Sequence, residues 1–169
     1  MTKTPTGRLF RGQSGPDLVL TRTFRAGTED VWASITEPDR TARWFGPWEG
    51  DAGPGRTIKV QMAYEEQTPW CDVRIDACDP PRRLAVSMTD EAGEWAMELL
   101  LTEVASSTEL RLVQHLQSEA GLGEVGPGWE HYLDMLVAAE NGLPRPHFDE
   151  YYPAMKAYYD GLTAQPDEA

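Results

Sequence analysis

The stretch from Gly126 to Gly142, GPGWEHYLDMLVAAENG, constrains the fold more than any other. Trp129, Tyr132, Leu133, Leu136 and Ala139 recur at helical spacing and form one apolar stripe. Glu130, Asp134 and Glu140 lie away from it. Pro127 is expected in the first turn, where its missing N–H costs nothing. Gly142 followed by Pro144 marks the C-terminal stop. A stripe carrying a Trp and a Tyr must bury against something large. The chain before it reads as short strands and turns, so a curved sheet is its natural partner.

Residues 1–16 are polar and read as a flexible N-terminal arm. Asp17 to Phe24 is the first predicted strand. Thr28 can cap a helix, with Glu29 and Asp30 favouring its dipole and Val31, Trp32 and Ile35 forming its apolar side. Pro38 opens a second short helix that runs to about Trp44. The loop WFGPWEGDAGPGR, Trp44 to Arg56, is rich in Gly and Pro yet carries three aromatic rings. Loops are mostly polar, so this one either folds over a core edge or lids a cavity.

From Thr57 the pattern is a meander. Ile58, Val60, Met62 and Tyr64 share one face, as do Cys71, Val73, Ile75 and Ala77. Leu84, Val86 and Met88 follow, then Trp95, Met97, Leu99 and Leu101, then Leu110, Leu112, Gln114 and Leu116. The alternation implies one buried and one solvated sheet face, and the short turns imply antiparallel pairing. After the long helix, LPRPH (Leu143 to His147) is a stiff linker. Phe148, Tyr151, Tyr152, Met155, Tyr158, Tyr159 and Leu162 then recur at helical spacing, with Pro153 in the first turn of a last helix. That apolar face must dock on the body or on a second subunit, which leaves a homodimer open. The final residues are expected to fray. The domain reading is therefore an arm (1–16), one α+β domain (17–142) and a helical extension (143–169).

Charge narrows the function. Lys and Arg total 15 against 28 Asp and Glu, for a net charge of −13. Such a chain repels phosphate backbones, so nucleic acid is not an expected partner, and anionic membranes are disfavoured equally. No apolar run approaches the roughly 18 residues of a membrane span, and the start lacks a signal-peptide core, so a cytoplasmic protein is expected. Cys71 and Cys78 flank one strand on opposite faces. They would stand roughly 23 Å apart, beyond disulfide reach, and their spacing fits no metal site.

Five pieces of the text agree with this layout: FRAGTEDVWASITEPDRTARWFGP, the GPGR before the second strand, DPPRRLAVS, TELRLVQH and GWEHYLDML. Together they resemble bacterial homologues of the activator of a heat-shock chaperone ATPase (AHSA-type proteins), in the SRPBCC (START/birch-pollen-allergen-like) superfamily. The resemblance spans about Leu18 to Gly142. It implies a helix-grip fold: a curved antiparallel sheet wrapped around one long C-terminal helix, with two short helices after the first strand and a cavity between sheet and helix. Members bind lipids, sterols or polyketides, some catalyse cyclisation or dehydration, and one branch binds a chaperone. Function must therefore come from the site.

No nucleophile with its base is visible, DAGPGR lacks the ending of a phosphate-binding loop, and neither a metal nor a cofactor is expected. His131 lies beside the stripe and His115 on the outer sheet face, both as surface residues. Gln114 shares the inward parity of Leu110 and Leu112, and a buried amide needs partners. The aromatic and Met residues are the best functional clue. Trp44, Phe45, Trp48, Met62, Tyr64, Trp95, Met97, Gln114, Trp129, Tyr132, Leu133 and Leu136 are the candidate ligand-binding residues. The leading expectation is a non-enzymatic binder of a hydrophobic small molecule, lipid or polyketide-like. A polyketide cyclase/dehydratase-like enzyme would need further inward polar groups. A chaperone-linked interaction module would show a filled cavity and an exposed apolar patch elsewhere.

Overall fold

Alternating apolar residues commit one face of each strand to a core, and the turns between them fold the strands back on one another. In a computed structural model, which describes residues 3–91 and 93–166, the elements are β1 (Arg8–Arg11), β2 (Pro16–Phe24), α1 (Thr28–Thr36), α2 (Pro38–Thr41), β3 (Trp48–Glu49), β4 (Thr57–Gln61), β5 (Trp70–Asp79), β6 (Arg83–Asp90), β7 (Gly93–Val104), β8 (Ser107–His115), α3 (Leu122–Asn141) and α4 (Lys156–Asp160). The strands make one eight-stranded antiparallel sheet in the order β1-β2-β8-β7-β6-β5-β4-β3. The fold is α+β, a helix grip in which the curved sheet holds the long helix α3.

The register places the expected inward residues side by side. One row across the sheet runs Ile75, Val86, Met97, Gln114, Leu18, Leu9. The next runs Cys78, Leu84, Leu99, Leu112, Leu20. The core they build is in two pieces. The larger joins Leu133 and Leu136 of α3 to β1, β2, β7, β8 and α1. The smaller is Ile58, Val60, Val73 and Ile75 on β4 and β5.

Several expectations need correction. The arm is not free along its whole length: residues 8–11 pair with β2, and Leu9 is 1% exposed. Thr28 does not cap α1, because Gly27 occupies that position and makes no side-chain cap. The meander segment that opens with β4 leaves the sheet after Gln61, so Met62 and Tyr64 belong to a turn. β5 carries a bulge between Ile75 and Ala77. The extra residue reverses the parity, so Cys78, expected opposite Cys71, turns inward. Both thiols are free.

α3 begins at Leu122, so Pro127 lies inside it instead of in the first turn. Proline there denies the Gly123 carbonyl its helical partner. Leu122 and Val125 extend the apolar stripe backwards. The glycines that disguise this turn serve close packing: a Cβ on Gly126 would run into the Tyr159 ring.

The tail is a 3-10 turn at Phe148–Glu150 followed by the short α4, not one continuous helix starting at Pro153. Tyr151, Met155 and Tyr159 are fully buried against α3, while Phe148 and Tyr158 stay exposed. Nor does the tail fray at Gln165, whose N–H and carbonyl bond to Leu9 and Arg11 of β1. Residues 167–169 lie outside the described residues.

The acidic residues off the apolar stripe are engaged by other parts of the chain. Glu130 is 1% exposed. Its carboxylate accepts from Arg22 on β2 (2.8 Å), from the Thr6 hydroxyl (2.7 Å) and backbone N–H (2.5 Å), and from the Tyr159 hydroxyl (2.5 Å). Asp134, one turn on, accepts from Arg22 Nε (2.8 Å) and the Tyr151 hydroxyl (2.7 Å). Glu140 meets Ser34 and Arg40 of the α1–α2 pair, the latter at 2.9 Å. Thus α3 is covered by the sheet along its stripe, by the tail at Glu130 and Asp134, and by the α1–α2 pair at Glu140.

On the outer face, His115 bridges Asp17 (2.7 Å) and Glu98 (2.6 Å), tying β2 and β7 across β8. Burial alone would lower its pKa, but the two carboxylates outweigh burial and raise it above the ordinary value. Glu98 is held below its ordinary value, His115 and Arg83 outweighing burial. His131, by contrast, is lowered chiefly by burial, since its ring packs against Phe148 and Tyr151 of the tail.

Two outcomes test this architecture. Breaking a buried ion pair from one side costs about 3–5 kcal/mol, and emptying a buried leucine site about 2–5 kcal/mol. Glu130→Ala and Leu136→Ala are therefore expected to lower urea midpoints comparably, with the exposed Glu124→Ala within about 0.5 kcal/mol of the parent. A Glu130→Ala midpoint equal to that of Glu124→Ala would remove the carboxylate as the tail's anchor.

The His115 bridge carries a pH signature. A raised folded pKa contributes stability in full below about pH 6.5, and that contribution disappears as pH rises through the folded value. The lowered Glu98 preserves its share until pH falls through its own folded value. The midpoint gap between parent and His115→Gln should therefore be wide near about pH 6 and narrow near about pH 9. A gap that does not change with pH would mean that folding leaves the His115 pKa where it was.

Candidate functional site

The gap between the two core pieces is a cavity of about 260 Å³. Its walls come from β4 to β8 on one side and from α1, the segment after α2 and α3 on the other. Of the twelve candidate residues, Trp44, Phe45, Trp48, Met62, Met97 and Trp129 line it. The rest stand behind or beside the wall. Tyr64 donates to the Ala42 carbonyl (2.9 Å) and lies under the Arg145 guanidinium. Trp95 is half-buried on β7, opposite Met88. Leu133 and Leu136 are fully buried in the larger core piece. Tyr132 packs on Phe45 with ring centroids 5.0 Å apart. Gln114 is 4% exposed and holds Trp129.

The aromatic loop has a local cause. A helix leaves its last carbonyls without intrahelical partners. At the end of α1, Trp44 Nε1 donates to the Ser34 carbonyl (2.9 Å) and Trp48 Nε1 to the Thr36 carbonyl (2.8 Å). Both indoles are thereby pinned at their polar edge, and their apolar rings become wall. Trp48 also pairs with Val60 in the two-residue strand β3, so the loop is not a free lid. Gly46 is required where the chain crosses β4, because a Cβ would collide with the Gln61 carbonyl. On the opposite wall, Trp129 Nε1 donates to Gln114 Oε1 at 2.7 Å.

Polar groups around the cavity are therefore engaged. Thr41 Oγ1 donates to the Gly46 carbonyl at 2.7 Å. Cys78 faces the cavity as a thiol, its pKa raised by burial and then by Asp79. The exception is one ring behind the wall: the Tyr132 hydroxyl is buried beside the Glu65 carboxylate without a hydrogen bond of ordinary geometry. Burial, then the charge of Glu65, pushes its pKa up, so it stays a phenol. Among the described residues no group of three His, Cys, Asp or Glu could hold a metal ion. Ser34, which the sequence did not single out, is a buried hydroxyl between Glu140 and Arg40. That cluster clamps α1 to α3 and does not line the cavity. No helix among the described residues is long and apolar enough to cross a membrane.

Strand parity marked Met62 and Met97, helical spacing marked Trp129, and the aromatic content of a Gly/Pro-rich loop marked Trp44, Phe45 and Trp48. Ile35, Thr36, Cys78 and Leu84 also line the cavity. Leu84 follows the strand parity already read, Ile35 and Thr36 end a helix whose apolar side was visible, and Cys78 was hidden by the bulge.

Comparison with known proteins agrees with this geometry. None of the curated proteins matches the chain. Among solved structures, CalU16 from Micromonospora echinospora is 28% identical with a TM-score of 0.77, over 95% of this chain and 98% of that one. The BPP1335 protein of Bordetella parapertussis shares the fold at 21% identity and a TM-score of 0.73, over 98% and 96% of the two chains. DynU16, a protein in the dynemicin biosynthetic locus, shares it at 22% identity and a TM-score of 0.67, over 78% of this chain and 50% of its own. The family described as Activator of Hsp90 ATPase homolog 1-like protein matches residues 25–140. With most of its length inside that match and with the helix-grip architecture described above, the chain belongs to the AHSA-type family of the SRPBCC superfamily.

Proposed function

We propose that the protein binds an apolar small molecule in the cavity between the sheet and α3. One observation carries this reading: the core is split, and the gap is walled by side chains whose polar atoms already have partners. Apolar pockets with few polar groups are the usual small-ligand sites, and the volume of about 260 Å³ lies just below their usual range. The rings of Trp44, Trp48 and Trp129 are held by hydrogen bonds at their edges. A ligand therefore meets a wall already in place and loses little to ordering it. A lipid or polyketide-like molecule, the class that the family resemblance implies, is the occupant to try first.

The two alternatives find less support. The inward polar residues an enzyme would draw on, Gln114 and Tyr64, are engaged with Trp129 and the Ala42 carbonyl. An interaction module would fill its cavity and expose a patch. The exposed large apolar residues Trp70, Val104, Leu143, Phe148 and Tyr158 instead lie on different elements.

Met97→Trp tests the reading. Adding bulk to a close-packed core costs about 1–3 kcal/mol. At Met97, which lines the cavity, the expected cost is below that range, together with loss of uptake of the neutral probe N-phenyl-1-naphthylamine shown by the parent. Strong destabilisation, and a parent that takes up no probe, would show that the gap is not a binding site.

A further inference from the structure

We infer that the cavity is an oxidant-sensitive site: hydroperoxides convert the thioethers of Met62, Met88 and Met97 to sulfoxides, and the change releases an apolar ligand. This rests on the apolar-cavity reading and adds its regulation.

The placement of sulfur carries the inference. The sequence has six methionines, of which Met1 lies outside the described residues. The other five divide into two groups. Met135 and Met155 are each 2% exposed and packed in the larger core piece. Met62, Met88 and Met97 are half-buried, and all three line the cavity. They reach it from three segments. Met88 of β6 pairs with Trp95 and Met97 of β7 with Val86, so the two sulfurs stand diagonally on the inward face. Met62 follows β4, its N–H held by the Pro69 carbonyl at 2.7 Å. Strand parity turns Met88 and Met97 away from the outer face, so the surface they keep opens on the cavity. A leucine would fill similar space. Methionine adds a sulfur that a peroxide little larger than water can reach.

The chemistry needs no further reagent. The thioether sulfur attacks one peroxide oxygen and gives up two electrons. The O–O bond breaks, an S=O bond forms, and water leaves, or an alcohol when the oxidant is an organic hydroperoxide. The product carries a strong acceptor oxygen that the wall cannot satisfy. The donors of Trp44, Trp48 and Trp129 and the Thr41 hydroxyl are all engaged elsewhere. Water must therefore follow the sulfoxide into space that an apolar ligand would fill, and stripping that water opposes binding. A bound ligand, in turn, covers the sulfurs and slows their oxidation. Sulfoxides are reduced enzymatically, so the change is reversible. Cys78 also faces the cavity, but burial raises its pKa and keeps it a thiol, the less reactive form.

The test treats the full-length protein with hydrogen peroxide at neutral pH. Peptide mass spectrometry reads sulfoxide at each methionine, and uptake of N-phenyl-1-naphthylamine is followed in parallel. Met62, Met88 and Met97 are expected to oxidise at least roughly tenfold faster than Met135 and Met155. Probe affinity should fall roughly tenfold as they do. Saturating probe should slow oxidation of Met88 and Met97. Dithiothreitol alone should leave the loss in place, whereas methionine sulfoxide reductases of both epimer specificities should restore uptake. The variant Met62→Leu/Met88→Leu/Met97→Leu should keep its own untreated affinity after peroxide, while Met135→Leu/Met155→Leu should lose affinity as the parent does. Unchanged affinity in a parent oxidised at all three positions would overturn the inference and leave the apolar site standing. So would recovery with dithiothreitol alone, which would assign the loss to the cysteines, or an equal loss in the triple leucine variant. If that variant does not fold, the comparison of dithiothreitol with the reductases on the parent decides. An untreated parent that takes up no probe, or saturating probe that leaves Met88 and Met97 oxidising at the free rate, would instead remove the apolar site itself.

Discussion

A single buried carboxylate holds the molecule's ends to its centre. Glu130 is 1% exposed, yet it accepts from the Arg22 guanidinium, Thr6 and Tyr159. Those partners come from β2, the N-terminal segment and α4, so three distant parts of the chain converge on one residue of α3. A charge in such a place is costly unless its lone pairs are filled. Five donor contacts fill them, the fifth from the Gly7 N–H, and Arg22 supplies the balancing charge. Arg22 in turn bonds Asp134, which accepts from Tyr151. Burial and these carboxylates push both tyrosine pKa values up, so the phenols remain donors across the ordinary pH range.

This anchoring shapes the cavity indirectly. With the tail and β1 completing the cover of α3, the helix is committed to the β1, β2, β8 and β7 side of the sheet. The inward residues of β4 and β5 are then left to form their own small cluster, joined to the main core through residues such as Phe45 and Leu84. A sheet of eight strands is wider than one helix with this apolar stripe can cover. Trp44 and Trp48 span part of the difference, and the remainder is the cavity.

Much of this was legible in the sequence because strand parity and helical period are local. Leu84, Val86, Met88, Met97, Leu110 and Leu112 lie where alternation put them, and Gly142 ends α3 with φ +64° as a C-terminal glycine should. What escaped was decided at a distance. Nothing near Arg8–Arg11 announces a strand, because that segment pairs only once β2 offers an edge. Glu130 reads as a surface residue until Arg22, 108 positions away, faces it. The bulge after Ile75 adds one residue and flips Cys78 inward, which no regular period can register. Half of the candidate site residues missed the cavity for a related reason: inward parity states which face a residue occupies, not whether a neighbour or empty space faces it.

The aromatic loop shows how one local constraint yields a functional surface. The carbonyls at the end of α1 need donors, and an indole N–H meets the need while leaving nearly all of its ring apolar. Trp44 and Trp48 meet it at Ser34 and Thr36, and the Glu37 N–H serves Ala33. A Ser or Asn could not do both tasks, because it would bring further polar atoms to the same wall. Capping with tryptophan therefore closes a helix, spans the two core pieces and keeps the cavity apolar in one step. Movement that admits a ligand then belongs to segments without such pins, and the half-buried thioether of Met62, outside β4 in its turn, is the wall element best placed to yield.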